Sequence, residues 1–272
     1  MVITNNTITD KNYKRLSIQI SLNGLSFCCR DLLNNKIISY KEIDFKKYPK
    51  TYSIENCLWK TFLDENDLTK TYDEVVVLHD NTLNTFVPLP LFDEEYKGSY
   101  LQYNTKVFET DYFTFDPIKN YDMVNVYVPY VNINNYLIDQ LGAFEYIHSS
   151  SILVNKLLEN SKNDESVTMF IHFLHNHFEI VVIQNQKLLL FNTFEYNTPD
   201  DFIYYLLFTA EQLHLNPESL QLNLLGTIKE EDELYKKAYR YIRKVALYDI
   251  NIDANTTFSA EERRKNFILF HS

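Results

Sequence analysis

The chain has 272 residues, of which 45% are hydrophobic, and it carries a formal net charge of −11 at pH 7. This composition excludes fibrous and disordered classes, and the negative charge disfavours nonspecific binding of nucleic acid, whose phosphates attract Lys and Arg. The N-terminal sequence MVITNNTITDKNYKR lacks the apolar core of a signal peptide, and no apolar run has the length of a bilayer span. We therefore expect a cytoplasmic protein without membrane insertion.

The first apolar segment, LSIQISLNGLSFCCRDLLNNKIISYKEIDF at 16–45, predicts three strands with tight turns at Asn23-Gly24 and Asn34-Asn35. The following SIENCLWKTFLDENDLTKTY begins with a capping residue and repeats apolar positions at helical spacing, which predicts a helix. EVVVLHD at 74–80 then predicts a buried strand reached by a crossover. The first part of the chain therefore has the predicted order βββαβ.

The middle of the chain predicts shorter elements. VPLPLF at 87–92 contains two prolines, which is typical of a sheet edge or of an extended segment after a strand. DEEYKGSYLQYN predicts a short helix that starts at Asp93, and DMVNVYVPY predicts a strand. NINNYLIDQL predicts a helix stopped by Gly142, FEYIHS a strand, and SILVNKLLEN a further helix.

A second apolar segment, VTMFIHFLHNHFEIVVIQNQKLLLFNTFEY at 167–196, aligns without a gap to 16–45. The identities are Ile20 with Ile171, Phe27 with Phe178, Asn34 with Asn185, and Lys36 with Lys187. Its turns fall at His175-Asn176 and Asn185-Gln186, and TPDDFIYYLLFTAEQLHL and LQLNLLG supply the corresponding helix and strand. We therefore predict an internal duplication with two lobes of the same βββαβ unit.

The polar run ENSKNDES at 159–166 marks the predicted boundary, which gives a first lobe at 1–160 and a second lobe at 161–272. In the tail, EDELYKKAYRYIRK predicts a helix whose acidic residues come first and basic residues last, as the helix dipole favours. The final segment SAEERRKNFILFHS, at 259–272, fits a helix and a strand equally well.

Two copies of a three-stranded meander, a crossover helix and a parallel strand resemble the actin, Hsp70 and sugar-kinase superfamily. LSIQISLNGLSFCC in particular resembles the first strands of actin-like pilus-assembly and secretion proteins. The whole chain resembles an uncharacterised bacterial family of degenerate actin-like ATPases. The resemblance implies an α/β fold with two ribonuclease H-like lobes, each containing a mixed sheet, and in the superfamily these lobes clamp ATP.

The resemblance also implies a D-x-G loop in each lobe, whose aspartate organises metal and water and whose glycine lets backbone amides approach phosphate. The first loop falls at Gln19 and Ser21, and the second falls at Phe170 and His172, so both lack the acid and the glycine. A glycine pair that contacts adenosine would fall in LNLLGTI, where only Gly226 is present. We therefore expect no ATP hydrolysis and no cofactor.

A second candidate site is the cluster of polar residues in FIHFLHNHFE. With the turn at His175-Asn176, His172 lies across from Glu179 and shares a sheet face with His177 and Glu179. This set matches a metal site of two histidines and one carboxylate. The alternative, which we favour, is a cross-strand His–Glu pair that tunes an exposed hairpin tip or contacts a partner.

Clustered acids and cysteines have simpler interpretations. DEEY at 93–96 and EEDE at 230–233 offer carboxylates for acid–base chemistry or calcium, but both lie where a helix begins, and acids are favoured there. Cys28 and Cys29 lack the C-x-x-C spacing of redox pairs and lie in a predicted core strand, so we expect buried thiols. Together with Cys57 they provide no disulfide framework.

The sequence thus predicts a non-catalytic interaction or scaffolding protein with an actin-like fold and an unidentified protein partner. Direct contact with nucleic acid is not expected, and self-association into a homodimer stays open. The alternative is an enzyme, or a nucleotide- or metal-binding protein, with a relocated site around the hairpin at 172–179.

Overall fold

The computed structural model describes residues 11–108, 110–162, 165–248 and 258–272. Residues 1–10 lie outside the described residues, and they include most of the N-terminal segment that we interpreted as lacking a signal peptide. Asn163 and Asp164 of the predicted boundary run also lie outside them. Among the helices in the described ranges, none combines the length and the apolar composition that a membrane crossing needs.

The strands, in chain order, are β1 Lys14–Ile20, β2 Gly24–Asp31, β3 Lys36–Asp44, β4 Glu74–His79, β5 Asn84–Pro88, β6 Thr114–Ile118, β7 Met123–Tyr127, β8 Glu145–His148, β9 Thr168–Phe173, β10 His177–Gln184, β11 Lys187–Glu195, β12 Gln221–Gly226 and β13 Lys244–Leu247. The helices are α1 Ile54–Asp64, α2 Lys97–Leu101, α3 Val131–Leu141, α4 Ser149–Asn160, α5 Pro199–Gln212, α6 Glu233–Tyr241, α7 Ala260–Lys265 and α8 Phe267–Phe270. The described part of the C-terminal segment is therefore helical.

The first sheet has five strands in the order β3-β2-β1-β4-β8. The strands β1, β2 and β3 form the predicted antiparallel meander, and β4 lies parallel to β1 after the crossover through α1. The helix begins where the sequence predicts, because the Ser53 side chain accepts a hydrogen bond from the Asn56 N–H. Leu16 and Ile18 of β1 belong to one apolar core with Leu58 of the helix.

The second sheet repeats this order as β11-β10-β9-β12, followed by β13. Asn185 and Gln186 in the β10–β11 turn have φ values of 47° and 58°, the left-handed conformation that two-residue hairpins with primed turns require. Phe173 of β9 packs in one core with Phe202 and Leu206 of α5. The predicted fold class, with a βββαβ core in a mixed sheet in each half, is confirmed.

A third sheet has the strand order β5-β7-β6. Of its three strands, the sequence predicted only the central one, β7. Both outer strands have only five residues, and Pro117 in β6 and Pro88 in β5 disfavour a strand assignment. Proline is tolerated here because both strands lie at sheet edges. The prediction that VPLPLF lies at a sheet edge is confirmed for Val87 and Pro88, and Leu89–Leu91 forms a single 3-10 turn.

The chain forms two compact units, and each is built from two segments. One unit comprises Met1–His79 with Tyr130–Tyr146, and the other comprises Asp80–Pro129 with Ile147–Ser272. This division differs from the expected single boundary after residue 160. The physical reason is that the three-stranded sheet is tied to α4 by buried hydrogen bonds, such as that from the Ser151 hydroxyl to Asp116 at 2.6 Å.

Candidate functional site

The hairpin β9–β10 has the register that the sequence predicts. His172 lies opposite Glu179, and its Nδ1 is 2.8 Å from Glu179 Oε2. The two residues are only 4% exposed each, so the expectation of an exposed hairpin tip is wrong for this pair. His177 is half-buried, and its Nδ1 lies 3.0 Å from Asn176 Oδ1.

The pair is buried because the first turn of α4 covers this face of the sheet. The Ser150 hydroxyl donates to Glu179 Oε1 at 2.5 Å, so both oxygens of the carboxylate have a donor. Burial by itself raises the pKa of Glu179, but the hydrogen bond and charge of His172, together with the Ser150 hydroxyl, bring that pKa below its usual value. Glu179 is therefore ionised at neutral pH.

A second buried carboxylate, Asp116 of β6, lies at the same helix end. Its Oδ1 accepts from the Tyr127 hydroxyl at 3.0 Å. Its Oδ2 accepts from the backbone N–H of His148 at 2.8 Å and from the Ser151 hydroxyl at 2.6 Å. Burial outweighs these bonds and raises the pKa of Asp116 to about 6.

The N-terminus of α4 connects the two carboxylates. His148 caps the helix, and its Nδ1 accepts from the Ser150 N–H at 3.2 Å. A helix N-terminus favours negative charge because its backbone N–H groups are not used within the helix. We call the set of Asp116, Tyr127, His148, Ser150, Ser151, His172 and Glu179 the carboxylate cluster. All four carboxylate oxygens in it accept hydrogen bonds from the protein.

The predicted phosphate-loop positions carry side chains that are engaged in packing and turns. Phe170 is 4% exposed, and its ring packs edge-on against Tyr248 at 5.3 Å between centroids. In the other unit, Gln19 is half-buried in β1 opposite Ser26. The Ser21 hydroxyl accepts from the Asn23 N–H at 3.2 Å and thereby helps to close the β1–β2 turn.

Gly226, the predicted remnant of an adenosine-binding loop, lies where the backbone geometry requires a glycine. Its φ is +86°, and a Cβ at this position would lie 2.1 Å from the carbonyl oxygen of Phe173. The glycine lets β12 approach β9 closely, and the next residue, Thr227, donates its N–H to that same oxygen at 3.0 Å. The need for glycine at this position is therefore explained without a ligand.

The remaining candidates are placed as helix starts and core residues. Asp93 accepts from the Glu95 N–H at the start of a 3-10 turn, and Asp232 lies at the N-cap of α6. The cysteines Cys28, Cys29 and Cys57 are buried thiols, and burial raises the pKa of Cys28 to about 12. Within the described ranges there is no group of three or more His, Cys, Asp or Glu side chains with metal-binding geometry.

Sequence reasoning missed Asp116, Ser150 and Ser151. The available signals were an acid after two phenylalanines in FTFDPI and three consecutive serines before an apolar run in HSSSILV. Neither signal shows that the two segments meet, because 35 residues separate Asp116 from Ser151.

Comparisons with known proteins agree with this architecture. The chain belongs to the DUF3822 family, described as proteins of unknown function, whose family model matches residues 3–245. A comparison with curated protein sequences finds no match. A Bacteroides thetaiotaomicron protein with an actin-like ATPase fold and unknown function is 24% identical, with a TM-score of 0.79, over 89% of this chain and 93% of that protein.

A second similar structure is that of the PilM-PilN type IV pilus biogenesis complex. The matched chain is 13% identical, with a TM-score of 0.59, over 94% of this chain and 96% of that chain. These likenesses confirm the actin-like fold and the resemblance to pilus-assembly proteins that the sequence predicts.

Proposed function

We propose that this member of the DUF3822 family acts through protein contacts, as a non-catalytic interaction or scaffolding protein with an actin-like ATPase fold. The observation that carries the proposal is the filling of the second phosphate-loop position. Phe170 is buried where the resemblance implies the metal-organising acid, and His172 is buried against Glu179 where it implies the glycine.

The chemistry of phosphate binding supports this proposal. Mg²⁺ needs carboxylate oxygens within reach of both protein and substrate, and a phosphate needs backbone amides that can be approached closely. An aromatic ring cannot coordinate Mg²⁺. Glu179 is nearby, but both its oxygens already accept hydrogen bonds from His172 and Ser150. The net charge of −11 further opposes the binding of a polyanion.

The proposed partner is a protein. One structure with the same fold is described as a complex, that of PilM with PilN, which shows that an actin-like fold can bind another chain. Direct contact with nucleic acid is not proposed, because the acidic charge opposes it. Three buried cysteine thiols fit the reducing cytoplasm, where we propose that the protein acts.

The test is a measurement of ATP binding and hydrolysis by the purified full chain in the presence of Mg²⁺. We expect no saturable binding of a fluorescent ATP analogue and no phosphate release above the buffer rate. His172→Ala serves as the matched variant, because it opens the filled position without adding an acid. Circular dichroism must show that it is folded, because it removes the buried partner of Glu179. Hydrolysis by the wild-type chain that this variant abolishes would contradict the proposal and support a catalytic site at the hairpin.

A further inference from the structure

The segment KKAYRYIRK, at 236–244, forms a basic surface on an acidic protein. Five of its nine residues are Lys or Arg and none is acidic, whereas the whole chain has 26 basic and 37 acidic residues. The segment covers most of α6 and continues to the first residue of β13. We call the exposed side chains of 236–244 the basic patch, and their charge is opposite in sign to that of the chain as a whole.

Two buried side chains hold this segment against the protein. Ala238 and Ile242 are almost fully buried and belong to the apolar core of the second five-stranded sheet. Because they are four residues apart, they lie on one face of the helical turn. Lys236, Tyr239 and Arg240 are exposed and, at spacings of three and four, share a different face. The basic patch is therefore presented to the surroundings by a helix that is fixed to the core.

The protein itself uses few of these positive charges. Lys237 forms an ion pair with Asp200 at the start of α5. Arg240 lies in the last turn of α6, where the helix dipole favours a cation, and Arg243 and Lys244 lie beyond that turn. Arg240, Arg243 and Lys244 form no ion pair with the residues that the structure describes. Their charges are therefore available to a partner.

Two exposed tyrosines accompany these cations. Tyr239 is 63% exposed and Tyr241 is 48% exposed. The ring of Tyr239 stacks on that of Tyr235, with 6.3 Å between centroids, which restricts its motion and lowers the entropy that binding would cost. Tyr and Arg are enriched at protein interfaces and among the residues that dominate their binding energy. The composition of the basic patch is thus that of a protein-binding surface.

We propose that the basic patch binds an acidic segment of the partner protein. The guanidinium groups of Arg240 and Arg243 can each donate two parallel hydrogen bonds to one carboxylate. The tyrosine rings offer apolar contact to the residues between the acids, and their hydroxyls offer further hydrogen bonds. This inference rests on the proposed interaction role and adds the surface and the chemistry of the partner.

Size and charge favour a protein segment over a nucleic acid or a membrane. With nine residues, α6 is about 14 Å long, so it contacts a short segment only. Nucleic acids and anionic membranes extend far beyond such a surface, and the net charge of −11 repels the rest of their charge. A second copy of the chain carries the same net charge, which opposes association of like molecules.

The test measures the binding of labelled peptides to the purified full chain by fluorescence anisotropy. The probe is a dodecapeptide with the repeat Glu-Glu-Tyr, and the reference is a neutral dodecapeptide with the repeat Gln-Gln-Tyr. At an ionic strength of about 0.15 M, attraction between exposed charges more than about 8 Å apart is largely screened, so binding there requires direct contact. We expect saturable binding of the acidic peptide, about tenfold or more tighter than that of the neutral one.

Arg240→Glu combined with Arg243→Glu should weaken this binding about tenfold or more, because attraction at two positions becomes repulsion. Arg240→Gln combined with Arg243→Gln removes the charges without reversing them and should weaken binding less. The matched control is Lys50→Glu combined with Lys119→Glu, since both lysines are exposed and lie outside the basic patch. It has the same net charge as the variant with two new glutamates, and it should bind like the wild type. Circular dichroism should show that all three variants are folded.

Three peptide results would overturn the inference. They are no binding of the acidic peptide, equal binding of the acidic and neutral peptides, and equal binding of the acidic peptide by the wild type and the arginine variants. An equal loss of binding in the lysine control would also overturn it, because net charge alone would then explain the effect.

Other occupants of the basic patch are tested in parallel with labelled oligo(dT) and with phosphatidylserine vesicles. Tighter binding of either than of the acidic peptide, lost in the arginine variants, would overturn the inference and assign the patch to nucleic acid or lipid. A dimer of the free chain that the arginine variants dissociate would assign it to a second copy instead. Each of these failures leaves the proposed non-catalytic role intact, whereas ATP hydrolysis by the wild-type chain would contradict that role without changing the peptide result.

Discussion

His172 and Glu179 face each other across the β9–β10 hairpin as a buried pair, with 2.8 Å between Nδ1 and Oε2. Taking one partner from such a pair leaves an uncompensated charge inside the protein, which typically costs about 3–5 kcal/mol. We therefore expect His172→Ala to lower the free energy of unfolding by roughly that amount. Urea denaturation followed by circular dichroism measures it.

The control for this prediction is His177→Ala. His177 is half-buried and bonded to its neighbour Asn176, so its loss should change the free energy of unfolding by about 0.5 kcal/mol or less. The combined variant His172→Phe with Glu179→Leu, which replaces both partners by apolar groups, should be less destabilised than His172→Ala. Equal costs for His172→Ala and His177→Ala would show that the pair contributes nothing to stability.

Asp116 should make the stability of the protein depend on pH. Its pKa is raised from 3.8 to about 6 in the folded state, so the folded protein holds this proton more tightly than the unfolded chain does. Stability linked to Asp116 is then fully present below about pH 4 and is lost as the pH rises to about 6. The difference between these values corresponds to roughly 3 kcal/mol.

The free energy of unfolding is measured for the wild type and for Asp116→Asn between pH 4 and pH 7. This range covers the pKa of Asp116 in the unfolded chain, about 4, and in the folded protein, about 6. The amide has no proton to exchange, so the difference between the two proteins should change across this window and level off above it. Glu179 makes stability depend on pH in the opposite direction, because its pKa is lowered. Its contribution to stability is lost only as the pH falls through that lowered pKa. Parallel curves for the two proteins would exclude a titrating Asp116.

Gly226 should tolerate no side chain. In Gly226→Ala the new Cβ would lie 2.1 Å from the carbonyl oxygen of Phe173, and the φ of +86° adds backbone strain. Gly142 provides the control, because its φ is +76° but a Cβ added there would meet no heavy atom within 4 Å beyond its chain neighbours. We expect Gly142→Ala to cost about 1–3 kcal/mol of strain and Gly226→Ala to cost more. Thermal unfolding compares them.

Metal removal should leave the protein unchanged. Among the described residues, no group of three or more His, Cys, Asp or Glu side chains could hold a metal ion. Protein purified without a histidine tag should contain less than stoichiometric metal by elemental analysis, and EDTA should not shift its Tm. Stoichiometric zinc or iron that disappears in His172→Ala would instead support the alternative metal site.

Local chemistry predicted the repeated part of the fold. The turn at Asn185-Gln186 and the cap at Ser53 follow from residues that are neighbours in sequence, and they gave the correct β10–β11 hairpin and the correct helix start. The β1–β2 turn instead falls at Leu22-Asn23, one residue before the predicted Asn23-Gly24, because the Ser21 N–H pairs with the Gly24 carbonyl oxygen. The register that places His172 opposite Glu179 followed from the position of the turn.

The candidate site was only partly predictable, because its other half depends on distant contacts. Nothing near Ser150 indicates that its hydroxyl meets Glu179, which is 29 residues away. The burial of the His172–Glu179 pair depends on where α4 packs, and sequence periodicity does not determine that position. Five-residue strands that contain proline, such as β6 with Pro117, give too weak a pattern to be recognised.

The N-terminus of α4 also bears on the order of events in folding. Ser151 bonds to a carboxylate of the three-stranded sheet, and Ser150 bonds to a carboxylate of the second five-stranded sheet. These bonds close loops of about 30 residues, whose entropy must be lost before the bonds can form. If they form after the rate-limiting step, their removal speeds unfolding and leaves the refolding rate nearly unchanged. Ser150 and Ser151 would then slow unfolding, and so lengthen the lifetime of the native state, without changing the refolding rate.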